Sequence, residues 1–157
     1  MRCACWMNKS KTTFLRGAFV VYAAIMLWLL FGQRYEGGFG WEDMSQLLDR
    51  VNLKPLHTIK SFLWVLMNDR SLTAMRHAFV NLAGNVVMFV PLGFFFAVLF
   101  RRLRNFGWML LCTVVLICLV ELVQLFTLLG SCDVDDLLLN VIGAIIGWCI
   151  GMLIRKK

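Results

Sequence analysis

Four apolar stretches, each close to the length of one bilayer crossing, restrict what this chain can fold into. They cover about residues 17–33, 78–100, 107–129 and 137–154. A helix needs about 20 apolar residues to cross the hydrocarbon core of a membrane. The remaining segments are too short for a separate soluble domain. The sequence therefore predicts an all-α membrane protein, a compact bundle of four transmembrane helices that forms one domain over residues 1–157.

Composition agrees with this class. Apolar side chains make up 61% and charged side chains 16% of the 157 residues, and the mean hydropathy is +0.77. Soluble domains have about 45 to 50% apolar and about 25% charged residues. The composition excludes an ordinary soluble protein and predicts a location in the cell membrane.

The distribution of charge predicts the orientation. Ten of the 16 basic residues flank the stretches on one side without any carboxylate: Arg2, Lys9, Lys11, Arg16, Arg101, Arg102, Arg104, Arg155, Lys156 and Lys157. Basic residues concentrate on the cytoplasmic side, so both termini are predicted to be cytoplasmic. The net charge of +7 thus reflects topology and contacts with membrane lipid, and we expect no binding of nucleic acid.

The first stretch follows basic residues, as a signal peptide does. No small-residue cleavage site follows it, which favours an uncleaved signal anchor.

Among the cysteines, only Cys132 is expected on the outer side. A role for Cys132 as a thiol nucleophile is a minor alternative.

The outer loop, residues 34–77, is the only long connection. Apolar residues recur in it at helical spacing: Leu56, Ile59, Phe62, Leu63, Leu66 and Met67. This pattern predicts an amphipathic helix over 56–67, too short to cross the membrane and placed at its outer interface. Trp41 and Trp64 suit that depth. The helix either contacts a ligand or only covers the bundle.

Strongly polar side chains occur within or beside the last three stretches: Asn81, Asn85, Glu121, Gln124, Asp133, Asp135, Asp136 and Asn140. With a rise of about 1.5 Å per residue, those inside the stretches lie in the outer half of the membrane. Ionisable residues at such depth are costly and usually functional. We therefore predict a ligand-binding pocket that opens to the extracellular side.

Helical spacing places these groups on common faces. Asn81 and Asn85 are four residues apart, and Glu121 and Gln124 are three apart. The face of the last helix continues inward as a small-residue stripe: Gly143, Gly147 and Gly151. Such a stripe predicts close approach of a neighbouring helix below the pocket. A purely structural alternative remains, in which the amides bond across helices and a protonated Glu121 pairs with Asn85.

The order and spacing of four motifs over residues 52 to about 150 resemble the VanZ-like family of small bacterial membrane proteins. The motifs are Asn52-Leu-x-Pro55, Asn81-x-x-x-Asn85-x-x-x-Phe89-x-Pro91-x-Gly93, Glu121-x-x-Gln124, and Gly130-x-x-Asp133-x-Asp135-Asp136-x-x-x-Asn140-x-x-Gly143. The resemblance implies a link to resistance against teicoplanin, an acylated glycopeptide, and a Gram-positive context. It also implies signature residues: Asn85, Pro91, Gly93, Glu121, Gln124, Asp133, Asp136, Asn140 and Gly143.

Three functions are compatible with these observations. The preferred one is non-catalytic binding of a lipoglycopeptide or an envelope lipid, whose cationic groups the acidic rim would favour. The second is a membrane enzyme with Glu121 as general acid or base and with Asp133 and Asp136 holding a cation such as Mg²⁺. The third is an accessory factor of cell-wall machinery or of transport. The residues identify no cofactor.

Overall fold

The computed structural model describes residues 9–32, 51–69, 71–127 and 132–156. Within these residues lie five α-helices: α1 (Lys9–Leu27), α2 (His57–Asn68), α3 (Leu72–Leu99), α4 (Phe106–Phe126) and α5 (Val134–Lys156). Four segments of the described chain are long and apolar enough to cross a membrane: Lys9–Gly32, Leu72–Leu99, Phe106–Phe126 and Val134–Arg155. The predicted all-α membrane bundle is confirmed.

Short irregular elements connect the helices. A π-helical turn, Trp28–Gly32, extends α1, and a 3₁₀ turn, Arg102–Arg104, joins α3 to α4. Strand β1 (Val51–Asn52) precedes α2 and pairs in parallel with strand β2 (Cys132–Asp133), which precedes α5. The end of the bundle with α2, β1 and β2 is called the polar end below, and the end with Arg101–Arg104 is called the arginine end.

Two helices begin well before the apolar stretches. Helix α1 starts at Lys9 and α3 starts at Leu72, where the Ser71 side chain accepts a hydrogen bond from the Ala74 N–H. Hydropathy marks only the part of a helix that suits hydrocarbon, whereas the helical backbone continues beyond it. The amphipathic helix predicted over 56–67 is present as His57–Asn68. The expectations for Arg2, Trp41, Gly130 and residues 34–50 concern positions outside the described residues.

Helices α3 and α5 run parallel and form the tightest contact of the bundle. A Cβ at Gly143 would lie 2.1 Å from the carbonyl oxygen of Val86, and one at Gly147 would lie 1.8 Å from that of Val90. The relation is mutual, because a Cβ at Gly93 would lie 1.8 Å from the carbonyl oxygen of Ala144. The predicted glycine-lined approach is therefore confirmed, and its partner is α3.

Helix α1 is attached at separate points. The Tyr22 hydroxyl donates a 2.8 Å hydrogen bond to the carbonyl oxygen of Met88, one turn before Pro91. Phe19 packs edge to face on Phe95, with ring centroids 5.4 Å apart. Most side chains of α1 otherwise face outward, as expected for a helix that borders on lipid.

The arginine end is held by aromatic contacts. The Trp148 indole N–H donates a 2.8 Å hydrogen bond to the carbonyl oxygen of Leu103 in the 3₁₀ turn. The ring of Trp148 also packs against Phe106, with centroids 5.7 Å apart. These contacts fix the turn between α3 and α4 against α5.

Candidate functional site

Asp135 caps α2 from a distant part of the chain. Its Oδ1 accepts a 2.6 Å hydrogen bond from the Leu56 N–H, and its Oδ2 accepts a 3.0 Å bond from the Ile59 N–H. The side chain is fully buried, at 0% exposure. The first N–H groups of a helix lack partners within the helix, and an acidic side chain placed there satisfies them. Asp135 therefore has a structural partner for each carboxylate oxygen.

Asp133 binds the same outer segment. Its Oδ2 accepts bonds from the Thr58 hydroxyl (2.6 Å) and from the Asn52 amide (3.1 Å), and its Oδ1 accepts one from the Asp135 N–H (2.8 Å). The pairing of β1 with β2 brings Asn52 opposite Asp133. These two carboxylates thus join the segment before α5 to the start of α2.

Asp136 faces the bundle instead. The Asn85 amide of α3 donates a 2.5 Å hydrogen bond to Oδ1 of Asp136. One turn further along α5, Asn140 is 5% exposed, and its Oδ1 is buried with no hydrogen-bond donor among the described residues. The bond brings Asn85 of α3 and Asp136 of α5 together.

Glu121 adds α4 to this region. Its side chain is 7% exposed, so it points into the protein and not into lipid. It lies close enough to Cys132, beside the start of α5, for its charge to act on that thiol. Glu121 lies near Cys132 beside the start of α5, and Asn85, Asp136 and Asn140 lie on α3 and α5 at the same end of the bundle. These four residues are called the polar cluster below.

Cys132 lies in β2, outside the membrane-spanning helices. Burial raises the pKa of its thiol above the ordinary cysteine value, and the charges of Glu121, Cys118 and Asp133 raise it further. The thiolate is the nucleophilic form of cysteine. This environment favours the neutral thiol at neutral pH and gives no support to a nucleophilic role.

Two further predicted site residues have other partners. The Gln124 amide donates a 3.0 Å bond to the carbonyl oxygen of Leu30 in the π-helical turn, so it ties α4 to α1. The Asn81 amide donates a 3.1 Å bond to the carbonyl oxygen of His77 in its own helix. Asn81 faces a groove between α1 and α3, which Asn85 also lines.

The acidic residues do not gather as a cation-binding set in the described ranges. No group of three or more His, Cys, Asp or Glu side chains there is arranged to hold a metal ion. Asp133 and Asp136, the pair considered for Mg²⁺, bind different partners, the outer segment and Asn85.

Some contributing residues carry no signal in the sequence. Thr58 supplies the shortest bond to Asp133, and Tyr22 joins α1 to α3. A threonine in an amphipathic helix and a tyrosine in an apolar span are both common, so neither residue stands out in the sequence.

A family model described as VanZ/LLP1 matches residues 19–155. No curated protein and no solved structure gives a significant match.

Proposed function

The chain belongs to the VanZ/LLP1 family, and we propose that it binds an acylated ligand of the cell envelope at the polar cluster without catalysing a reaction. Through this binding it contributes to resistance against glycopeptide antibiotics that carry an acyl chain, such as teicoplanin. The family name supports the link to glycopeptide resistance. The geometry of the polar cluster supports a binding site.

The observation that carries the proposal is the buried oxygen of Asn140. Nearly all buried polar atoms in proteins have a hydrogen-bond partner, yet no described residue donates to this Oδ1. A donor group of a bound molecule would satisfy it. The carboxylates of Glu121 and Asp136 in the same cluster favour a donor with positive charge, such as an ammonium group.

Charge distribution supports an outward position for this site. The arginine end carries Arg101, Arg102 and Arg104, and Arg155 lies near the end of α5. By the positive-inside rule this end faces the cytoplasm, so the polar end faces the extracellular side. A ligand that approaches from outside then reaches the polar cluster without crossing the membrane.

Resistance in a susceptible Gram-positive host tests the proposal. The strain would express the wild-type chain, Glu121→Gln or Asp136→Asn, and growth would be measured against lipidated and unlipidated glycopeptides. Each substitution keeps the shape of the side chain and removes its charge. We expect both variants to lose resistance to the lipidated compounds at unchanged membrane levels.

Asp69→Asn is the matched control, because it makes the same chemical change in the turn between α2 and α3. It should retain resistance. Full resistance in both cluster variants would contradict the proposed function. A chemically modified drug or wall precursor in mass spectra would instead favour the enzyme interpretation.

A further inference from the structure

A lateral groove separates α1 from α3 near the polar end. Its volume is about 390 Å³. Apolar side chains form most of its walls: Ile25 and Met26 from α1, Leu29 from the π-helical turn that extends it, and Val80, Val87 and Met88 from α3. Such a surface suits a hydrocarbon chain.

Gly84 lies in the wall of this groove and has no role in helix packing. Apart from its own helix, no atom of the described residues lies within 4 Å of the position that a Cβ would take. Gly93 and Gly143, in contrast, face backbone atoms of the partner helix at contact distance. Glycine inside a helix is destabilising unless a close approach requires it. At Gly84 no described residue makes such an approach, and the position is open to the groove.

The groove is continuous with the polar cluster through Asn85. This side chain lines the groove and also donates its amide hydrogen to Asp136. No described residue donates to the side-chain oxygen of Asn85 or of Asn81. The groove therefore has an apolar floor and two carbonyl acceptors at the end near the cluster.

A second groove offers a comparison. It lies between α1 and α4, with a volume of about 590 Å³, and is lined by residues such as Phe31, Leu111, Val115, Leu119 and Val123. Apart from Cys112, its lining is entirely hydrocarbon. It has no amide and no glycine, and ordinary lipid chains suffice to cover it.

We propose that the groove between α1 and α3 binds the acyl chain of the ligand whose polar part occupies the polar cluster. The proposal rests on the proposed function and assigns a residue to chain recognition: Gly84 leaves room for the methylene groups. Asn81 and Asn85 accept hydrogen bonds from amide or hydroxyl groups at the junction between chain and head.

Binding to the full chain in phosphatidylcholine nanodiscs tests this assignment. The probes are teicoplanin and teicoplanin from which the acyl chain has been removed, with protein-free nanodiscs subtracted. Gly84→Leu places a side chain in the groove, at a position where an added Cβ would have no described neighbour within 4 Å. Gly17→Leu is the matched control, since its Cβ position on α1 is equally open. Leu119→Trp fills the second groove.

We expect Gly84→Leu to weaken binding of teicoplanin by about tenfold or more, because excluding a few methylene groups from an apolar site costs that factor. Its affinity for the deacylated compound should not change, and Gly17→Leu should bind both as the wild type does. If Gly84→Leu does not fold, Val87→Phe narrows the same groove from an exposed side chain.

The outcomes separate the two proposals. Wild-type affinity in Gly84→Leu, or a loss of acyl-dependent affinity only in Leu119→Trp, would overturn the assignment of this groove and leave the polar site intact. If the wild-type chain binds neither compound more than empty nanodiscs do, the proposed function fails and the groove assignment fails with it.

Discussion

The Leu56 N–H donates a 2.6 Å hydrogen bond to Oδ1 of Asp135, so a carboxylate of α5 caps the start of α2. Leu56 has a φ of 62°, in the left-handed region, where a residue with a Cβ is disfavoured by about 1 to 2 kcal/mol. The bond to a fully buried carboxylate offsets this cost. It also fixes α2 at the polar end, beside the cluster.

Asp135→Ala should release α2 from the bundle. It leaves the N–H groups of Leu56 and Ile59 without their acceptors, and each lost partner costs about 1 to 3 kcal/mol. We expect a loss of roughly 2 to 4 kcal/mol in the free energy of unfolding. Amide hydrogen exchange over residues 56–62 should also become faster. Asp69→Asn is the control, and unchanged exchange in Asp135→Ala would show that the cap is dispensable.

Gly147→Ala should prevent close packing of α3 and α5. The added methyl group would lie 1.8 Å from the Val90 carbonyl oxygen, which belongs to the backbone and cannot rotate away. We expect much less monodisperse protein by size-exclusion chromatography in detergent. Gly84→Ala, in open space, should behave as wild type or gain about 0.5 to 1 kcal/mol of stability. Equal yields of both variants would contradict the packing role.

Gln124→Ala should weaken the attachment of α1. It removes the hydrogen bond to the Leu30 carbonyl oxygen, and bonds between membrane helices contribute about 0.6 kcal/mol on average and up to about 1.7 kcal/mol. We expect a loss in this range in the free energy of unfolding, measured by titration with a denaturing detergent. Cys118→Ala, at an exposed position of the same helix, should have no such effect.

Cys132 should react slowly with maleimides at neutral pH. Because burial and nearby negative charge raise its pKa, the thiolate fraction at any pH below that pKa is smaller than for an ordinary cysteine. The alkylation rate of a variant with Cys132 as its sole cysteine should therefore increase with pH, with a midpoint above that of a free thiol. Glu121→Gln removes one negative charge and should move the midpoint to lower pH.

The same variant reports orientation. A maleimide that cannot cross membranes should label Cys132 in intact cells at high pH, if the polar end is extracellular. Labelling only after the cells are opened would contradict the predicted topology. If the midpoint pH of Cys132 alkylation is the same in Glu121→Gln as in the parent protein, the Glu121 carboxylate does not act on this thiol.

The sequence predicted the four spans and the close approach along Gly143 and Gly147, because hydropathy and small-residue spacing are local patterns. It also placed Asn81 and Asn85 on one face, and both line the same groove. Glu121 and Gln124 were grouped because residues three apart are neighbours on a helix. They are still about 60° apart around its axis, and that angle is enough for Gln124 to reach α1 while Glu121 lies near β2.

Such local patterns could not predict the hydrogen-bond partners of Asp133 and Asp135. Both carboxylates bind groups that precede them by 75 or more residues, and the bond from Thr58 to Asp133 has the smallest separation. Three of the four carboxylate oxygens accept from backbone N–H donors, which every residue type except proline provides. The spacing of residues within one helix therefore identified the acidic residues. It gave no means of distinguishing Asp133 and Asp135, which hold the start of α2, from Asp136.

The close packing of the glycine faces of α3 and α5 limits the substitutions that this chain can accept during evolution. The carbonyl oxygens of Val86, Val90 and Ala144 occupy the space that a side chain would need on the opposite helix. A backbone oxygen is present whatever the residue, so no replacement on the partner helix makes room for a side chain at these glycines. Helix α1 has no such constraint along most of its length. Substitutions can therefore accumulate on α1 and on the wall of the groove that α1 forms, while the contact between α3 and α5 stays as it is.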